Sequence, residues 1–147
     1  MEVVASVEVP VSAQKLFDFV ADLANYSSWL DFVHKVDLVV EPNNDGPTWL
    51  VELRARLGLL ARSKRLRMTR TVFQSPNLVV FERRENDSRR HAEWVLRATI
   101  TNTADGALLH MSLHYSGSLF TGGAMERALT EQIDTGRERL IKLLSAS

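Results

Sequence analysis

The chain has 147 residues, the size of one ordinary domain. Hydrophobic residues make up 45% and charged residues 24%, which excludes intrinsic disorder, collagen-like repeats and coiled coil as the main architecture. Lys and Arg together number 18, as do Asp and Glu, and a net charge of zero argues against a surface devoted to nucleic acid. The absence of Cys excludes disulfides, thiolate metal sites and Cys nucleophiles.

The first residues lack the basic and apolar regions of a signal peptide. No apolar run approaches the roughly 18 residues of a membrane span. We therefore expect a single cytoplasmic domain over residues 1–147, and no sequence motif calls for a cofactor.

The N-terminal third of the chain predicts one strand and two short helices. Residues 3–9 alternate between apolar and polar side chains, the pattern of a half-buried strand, and Pro10 ends it. Ser12 is a suitable N-cap for a helix that runs through Leu23. A second short helix is predicted over residues 25–30.

Six further strands and a long helix follow. The strands are predicted over 34–41, 48–58, 64–74, 78–85, 91–102 and 107–117, with short connections that favour antiparallel hairpins. Between Gly123 and Leu144 the apolar residues recur at helical spacing, and a helix about 33 Å long would cross a whole sheet. The predicted fold class is α+β: a bent antiparallel sheet of about seven strands wrapped around a long C-terminal helix, with two short helices after the first strand.

This pattern resembles the START/Bet v 1-like (SRPBCC) superfamily and its helix-grip fold. Within it, the chain is most similar to the bacterial polyketide cyclase/dehydrase and lipid-transport branch. The local part of the resemblance is the stretch VEVPVSAQKLFDFVADLANYSSWL from Val7, with Pro10, Phe17, Val20, Asp22, Tyr26 and Trp29 in matching order and spacing. The element order extends the resemblance over nearly the whole chain.

The resemblance implies an internal cavity between the concave sheet and the C-terminal helix. Family members bind lipids, sterols, polyketides or other hydrophobic molecules there, and the aromatase/cyclases among them also catalyse a reaction. We therefore expect a hydrophobic small-molecule ligand, which can be lipid, polyketide-like or aromatic and can carry an acidic group. A polyketide cyclase/aromatase-type enzyme is the alternative.

Strand parity selects the residues expected to face this cavity. The predicted lining is Trp49, Leu53, Met68, Arg70, Phe81, Arg83, Trp94, Met111, Tyr115, Phe120, Met125, Leu129 and Ile133. Trp29 and Phe32 are instead expected in the core under the short helices. The small inward residues Ala55, Ala98 and Gly117, with Gly136 beside the helix stripe, indicate space, although a filled core is the alternative at each position.

Two cations interrupt the apolar parity. Leu66, Met68 and Val72 share a face with Arg70, and Arg83 takes the equivalent place on the next strand. A buried Arg needs a partner. Each guanidinium therefore either anchors an acidic group of the ligand, or reaches the cavity rim, or pairs with an acid of the long helix.

In an enzyme, Arg70 or Arg83 would stabilise an enolate and Tyr115 would transfer a proton. No carboxylate or His shares the inward parity, so the acid–base machinery for such a reaction is sparse. His110 and His114 lie about 14 Å apart on one strand, too far to share a metal.

A basic hairpin suggests a third function. Residues 54–70 contain seven basic residues and no acid, and residues 54–97 carry a net charge of +8 against −8 for the rest. Arg62, Lys64 and Arg65 could bind an anionic membrane surface or an acidic protein. No stacking aromatics accompany them, which disfavours nucleic acid. An exposed sheet edge is compatible with a monomer or a homodimer.

Overall fold

The computed structural model describes residues 2–40, 46–57, 60–116 and 124–145, with side chains except those of 55–57, 60–62, 124–126 and 128. It contains seven strands, two α-helices and one 3₁₀ helix within these ranges. In chain order they are β1 (Glu2–Val9), α1 (Ala13–Val20), the 3₁₀ helix (Leu23–Ser28), β2 (Val33–Leu38), β3 (Thr48–Leu57), β4 (Leu60–Gln74), β5 (Leu78–Arg83), β6 (Trp94–Thr103), β7 (Gly106–Tyr115) and α2 (Ala124–Ser145).

The two short helices are bounded by side-chain caps. The Ser12 hydroxyl accepts a hydrogen bond from the Lys15 amide at 3.2 Å, as the sequence predicts for an N-cap. The first helix ends at Val20 instead of Leu23, because Asp22 takes an extended conformation and accepts from the Ala24 amide at 3.0 Å. That cap starts the 3₁₀ helix two residues earlier than predicted.

All seven strands form one antiparallel sheet in the order β1-β7-β6-β5-β4-β3-β2. The six later strands make the expected meander, and β1 closes it by pairing with β7. The curled sheet and the long C-terminal helix confirm the α+β helix-grip fold. Strand ends differ by a few residues; β6, for example, begins at Trp94 instead of residue 91.

A bulge in β4 changes which residues face the core. Arg70 pairs with Phe81, but the next pairs are Val72 with Val80 and Phe73 with Val79. The extra residue reverses the parity, so Phe73 shares the inner face with Arg70 and Val72 does not. The predicted inward position of Val72 is therefore wrong.

The long helix α2 packs on β1 and is hydrogen-bonded to the segment before β2. Its stripe of Leu129, Ile133, Leu140 and Leu144 is buried, as the spacing predicts. The Phe32 amide donates to Gln132 Oε1 at 2.7 Å, and Arg139 donates to Asp31 nearby. In the described ranges, no helix combines the length and the apolar composition that crossing a bilayer requires.

Candidate functional site: an apolar cavity under the long helix

The concave face of the sheet has a tightly packed part. Helix α1 lies against β6 and β7 there, and Phe17, Ile100 and Leu109 are at most 2% exposed. Two pairs of aromatic side chains occupy the region towards β3 and β5. Phe17 contacts Phe73 with ring centroids 5.2 Å apart, and Trp49 contacts Phe81 at 5.7 Å.

The other part of the concave face encloses a cavity of about 80 Å³. It lies towards the beginnings of β1 and β6, the middle of β3 and the second half of β7. Its wall consists of Val3, Ala5, Leu23, Tyr26, Leu30, Phe32, Val33, Val36, Val51, Leu53, Leu66, Met68, Trp94, Leu96, Met111, Leu113, Leu129 and Ile133. Every one of these side chains is aliphatic, aromatic or a thioether.

Only two polar side-chain groups belong to the described wall residues. The Tyr26 hydroxyl donates to the Val20 carbonyl at 2.8 Å, which ties the 3₁₀ helix to the end of α1. Burial, and secondarily the charge of Asp22, raises the pKa of Tyr26 well above its ordinary value, so this hydroxyl keeps its proton. The Trp94 indole N–H is buried and has no hydrogen-bond acceptor in the described part of the chain.

Six of the predicted lining residues lie in the cavity wall. They are Leu53, Met68, Trp94, Met111, Leu129 and Ile133. Phe120, Gly117 and the side chains of Met125 and Ala55 lie outside the described part of the structure. Trp49, Arg70, Phe81, Arg83 and Tyr115 are not among the described wall residues; they lie in the packed part or beyond the ends of the cavity. Ligand contact by any of these residues stays a prediction.

Arg70 faces the core but belongs to the packed part. Its Nη1 donates to the Ala21 carbonyl at the end of α1 at 2.9 Å, and its guanidinium carbon lies 4.2 Å from the centre of the Phe73 ring. Trp49 borders the other side at 5.9 Å. Burial lowers the pKa of Arg70, while the nearby Asp22 acts in the opposite direction. The side chain thus connects a helix end to the sheet.

Arg83, the last residue of β5, forms an ion pair with Glu85, which follows the strand. Its Nε donates to Glu85 at 2.9 Å and its Nη1 donates to the Ala92 carbonyl at 3.1 Å, with the side chain only 9% exposed. Arg83 therefore pairs with an acid, but this acid follows the same strand and does not come from the long helix as predicted.

A hydrogen-bonded chain continues from Arg83 to the surface. Its Nη2 lies 3.4 Å from His91 Nδ1, and His91 Nε2 lies 2.7 Å from Asp87. A guanidinium can only donate, so we assign the imidazole proton to Nε2. The His91 hydrogen bond, and then the Arg89 amide, lower the pKa of Asp87 below its usual 3.8.

Tyr115 is a direct neighbour of the wall residue Trp94 on the inner face of the sheet. It pairs with Trp94 across β6 and β7, and the two rings stack with centroids 5.2 Å apart. Tyr115 is 3% exposed. It therefore supports Trp94 and is not among the described wall residues.

Twelve wall residues were not in the predicted lining. Six of them could have been predicted, because strand parity already placed them on inner faces: Val3, Ala5, Val51, Leu66, Leu96 and Leu113. The others come from the 3₁₀ helix, the segment after it and β2, where the sequence has no regular period. Phe32 is one of these; it belongs to the buried core, as expected, and it also borders the cavity. Trp29 is fully buried outside the wall, as expected.

The small residues that the structure describes do not explain the cavity. Ala98 is fully buried in the packed part, and Gly136 lies against Trp29 instead of open space. Within the described wall, Ala5 is the small residue that borders the cavity.

The predicted basic surface is divided between two faces of the sheet. Lys64 pairs with the wall residue Leu53, which places it on the inner face, and Arg65 pairs with Glu52 on the outer face. The Arg62 side chain lies outside the described residues. Lys64 and Arg65 therefore do not form one continuous surface.

Comparison with known proteins extends over nearly the whole chain. A family model described as polyketide cyclase/dehydrase and lipid transport matches residues 1–145. A START superfamily protein from Mycobacterium smegmatis has a similar structure, with a TM-score of 0.70, 16% identity, and coverage of 99% of this chain and 97% of that chain. A protein from Thermus thermophilus gives a TM-score of 0.68 at 14% identity, with coverage of 99% of this chain and 98% of that chain.

A third similar structure, from Mesorhizobium loti, has a TM-score of 0.66 at 15% identity and covers 100% of this chain and 98% of that chain. At such identities the structural likeness shows the fold alone. No curated protein sequence matches this chain.

Proposed function

Because this chain belongs to the polyketide cyclase/dehydrase and lipid transport family, we propose that it binds an apolar small molecule in the cavity between its sheet and α2. The observation that carries this proposal is the composition of the wall, in which all eighteen described side chains are apolar or aromatic. Lipid, polyketide-like and aromatic molecules all have the apolar surface that such a wall stabilises through the hydrophobic effect.

The volume of the cavity limits the size of the ligand that fits without a change in the wall. Its volume of about 80 Å³ is below the roughly 300–1,000 Å³ of ordinary small-molecule sites. A larger ligand therefore either extends out of this partly open cavity or displaces wall side chains. Met68 and Met111 are the wall residues best suited to this, because an unbranched thioether chain has several accessible rotamers.

The first test is mass spectrometry of an organic extract from the gently purified protein, against an unrelated protein prepared in the same way. A stoichiometric hydrophobic compound supports the proposal and identifies the class of ligand. The second test is titration with n-alcohols from butanol to dodecanol. Binding is monitored by tryptophan fluorescence, because Trp94 lies in the wall.

A pair of variants on β1 tests the location of binding. Ala5→Leu adds three carbons inside the cavity and should weaken alcohol binding by about tenfold, with the melting temperature kept. Val4→Leu is the matched control, because Val4 lies on the same strand but is 53% exposed on the outer face. Equal affinities for both variants and the parent would contradict binding in this cavity.

The cyclase alternative has no comparable support. Arg70, Arg83 and Tyr115, the residues that such a reaction would use, all lie outside the described cavity wall. The titratable group within that wall is the Tyr26 hydroxyl, and its proton is already donated to the Val20 carbonyl. Carriage of an apolar molecule is therefore the function that we propose.

A further inference from the structure

Two cations lie on the inner face of the sheet directly beside the apolar cavity. Lys64 pairs with Leu53, and Arg83 pairs with Met68. Both partners line the cavity, and directly paired residues of antiparallel strands direct their side chains to the same face. Lys64 also lies two residues beyond the wall residue Leu66, about 7 Å along the strand. An ammonium on a four-carbon chain spans such a distance.

The two cations differ in how their charge is neutralised. Arg83 is bound to Glu85 at 2.9 Å, and the same Glu85 oxygen accepts the Arg67 amide at 3.1 Å. For Lys64, the described side chains provide no carboxylate within salt-bridge distance of Nζ. Among the described side chains, this edge of the cavity thus contains two cations and one anion, and the excess positive charge belongs to Lys64.

The surroundings of Lys64 make an uncompensated ammonium costly. Its partial burial, and then the charge of Arg83, lower the pKa of Lys64, with Glu85 acting in the opposite direction. An anionic group arriving beside Nζ would stabilise the charged form. The cavity offers no such group, since its described wall is apolar throughout.

We propose that the ligand is an amphiphilic carboxylate, with its apolar tail in the cavity and its carboxylate bound by Lys64 beside Arg83. This inference rests on the proposed binding function and adds the chemical class of the ligand's head group. A single carboxylate fits a single excess cation, and Arg83 contributes its positive field while it stays bound to Glu85.

Matched ligands provide the test. We would measure the dissociation constants of decanoate and decanol by isothermal titration calorimetry at neutral pH and moderate salt. The parent protein should bind decanoate about tenfold more tightly than decanol, which corresponds to about 1.4 kcal/mol. Lys64→Met should reduce this ratio to near one without changing the affinity for decanol, and Lys64→Arg should keep most of the preference.

The matched control is Arg65→Met, which removes the same charge from the neighbouring residue on the outer face. It should keep the preference for decanoate. Loss of preference in both Met variants would indicate a net-charge effect and overturn the proposal, as would a preference that survives in Lys64→Met.

The outcomes separate this inference from the proposed function. Equal binding of decanol and decanoate to the parent overturns the carboxylate site and leaves the apolar ligand function intact. Binding of neither ligand overturns both. Melting temperatures of all three variants show that the comparison is made between folded proteins.

Discussion

At the scale of single residues, Gly136 determines how closely α2 approaches the core. A Cβ at this position would lie 2.5 Å from the Trp29 carbonyl oxygen and 3.1 Å from the Trp29 ring. The first of these atoms belongs to the backbone and cannot rotate away. Glycine is therefore required here for close helix packing, although it lowers intrinsic helix stability by about 1 kcal/mol relative to alanine.

We predict that Gly136→Ala destabilises the protein by about 1–3 kcal/mol, because overpacking against the Trp29 backbone exceeds the gain in helix propensity. Urea unfolding, monitored by circular dichroism, measures the free energy of unfolding. Thr135→Ala is the control on the same helix; Thr135 is exposed, and its replacement should change stability by less than about 0.5 kcal/mol. A more stable Gly136→Ala variant would show that α2 has room to shift.

At the scale of elements, the bulge in β4 and the end of α1 form one unit through Arg70. The bulge brings Phe73 to the inner face, where its ring packs under the Arg70 guanidinium. The guanidinium donates to the Ala21 carbonyl oxygen. Because the helix has ended, no backbone N–H within α1 donates to this carbonyl. A flat, charged donor is suited to both contacts.

We predict that Arg70→Ala lowers the free energy of unfolding by about 1–3 kcal/mol while the affinity for decanol stays within twofold of the parent. Urea unfolding and calorimetric titration give the two quantities. Arg54→Ala serves as control, since Arg54 forms only an exposed ion pair with Glu52 at 3.4 Å, worth at most about 1 kcal/mol. Weaker binding by a variant of unchanged stability would instead place Arg70 in the ligand site, as strand parity alone predicted.

Periodicity predicted these elements well because each has one buried and one exposed face. It failed at the bulge, since one inserted residue changes parity without changing composition. Val72 and Phe73 are both apolar, and only the pairing with β5 decides which of them faces inward. The early end of α1 is a similar case, because the cap formed by Asp22 competes with continuation of the helix.

At the scale of the whole molecule, the candidate site depends on how the concave face is divided. The sequence predicted the inner face of each strand, but the boundary between the packed part and the cavity depends on where α1 and the 3₁₀ helix lie. That is a tertiary property without a local signature. Trp49 and Phe81 have the same parity as Leu53 and Met68, yet only the latter two border the cavity.

This division makes two leucines of the same helix energetically different. Leu129 is in the cavity wall, whereas Leu140 is fully buried outside it. A side chain that borders empty space already lacks contact partners on one side, so its removal forfeits less dispersion energy. Removal of a fully surrounded leucine loses the same transfer free energy and also creates a new cavity.

We therefore predict that Leu140→Ala lowers the free energy of unfolding by about 3–5 kcal/mol and Leu129→Ala by about 2 kcal/mol. Leu129→Ala should also shift the preferred n-alcohol to a longer chain, because it enlarges the cavity, and Leu140→Ala should not. Urea unfolding and the alcohol titration measure both effects. Equal destabilisation with an unchanged chain-length preference would mean that the concave face is filled uniformly in solution, and the cavity would then not be available to a ligand.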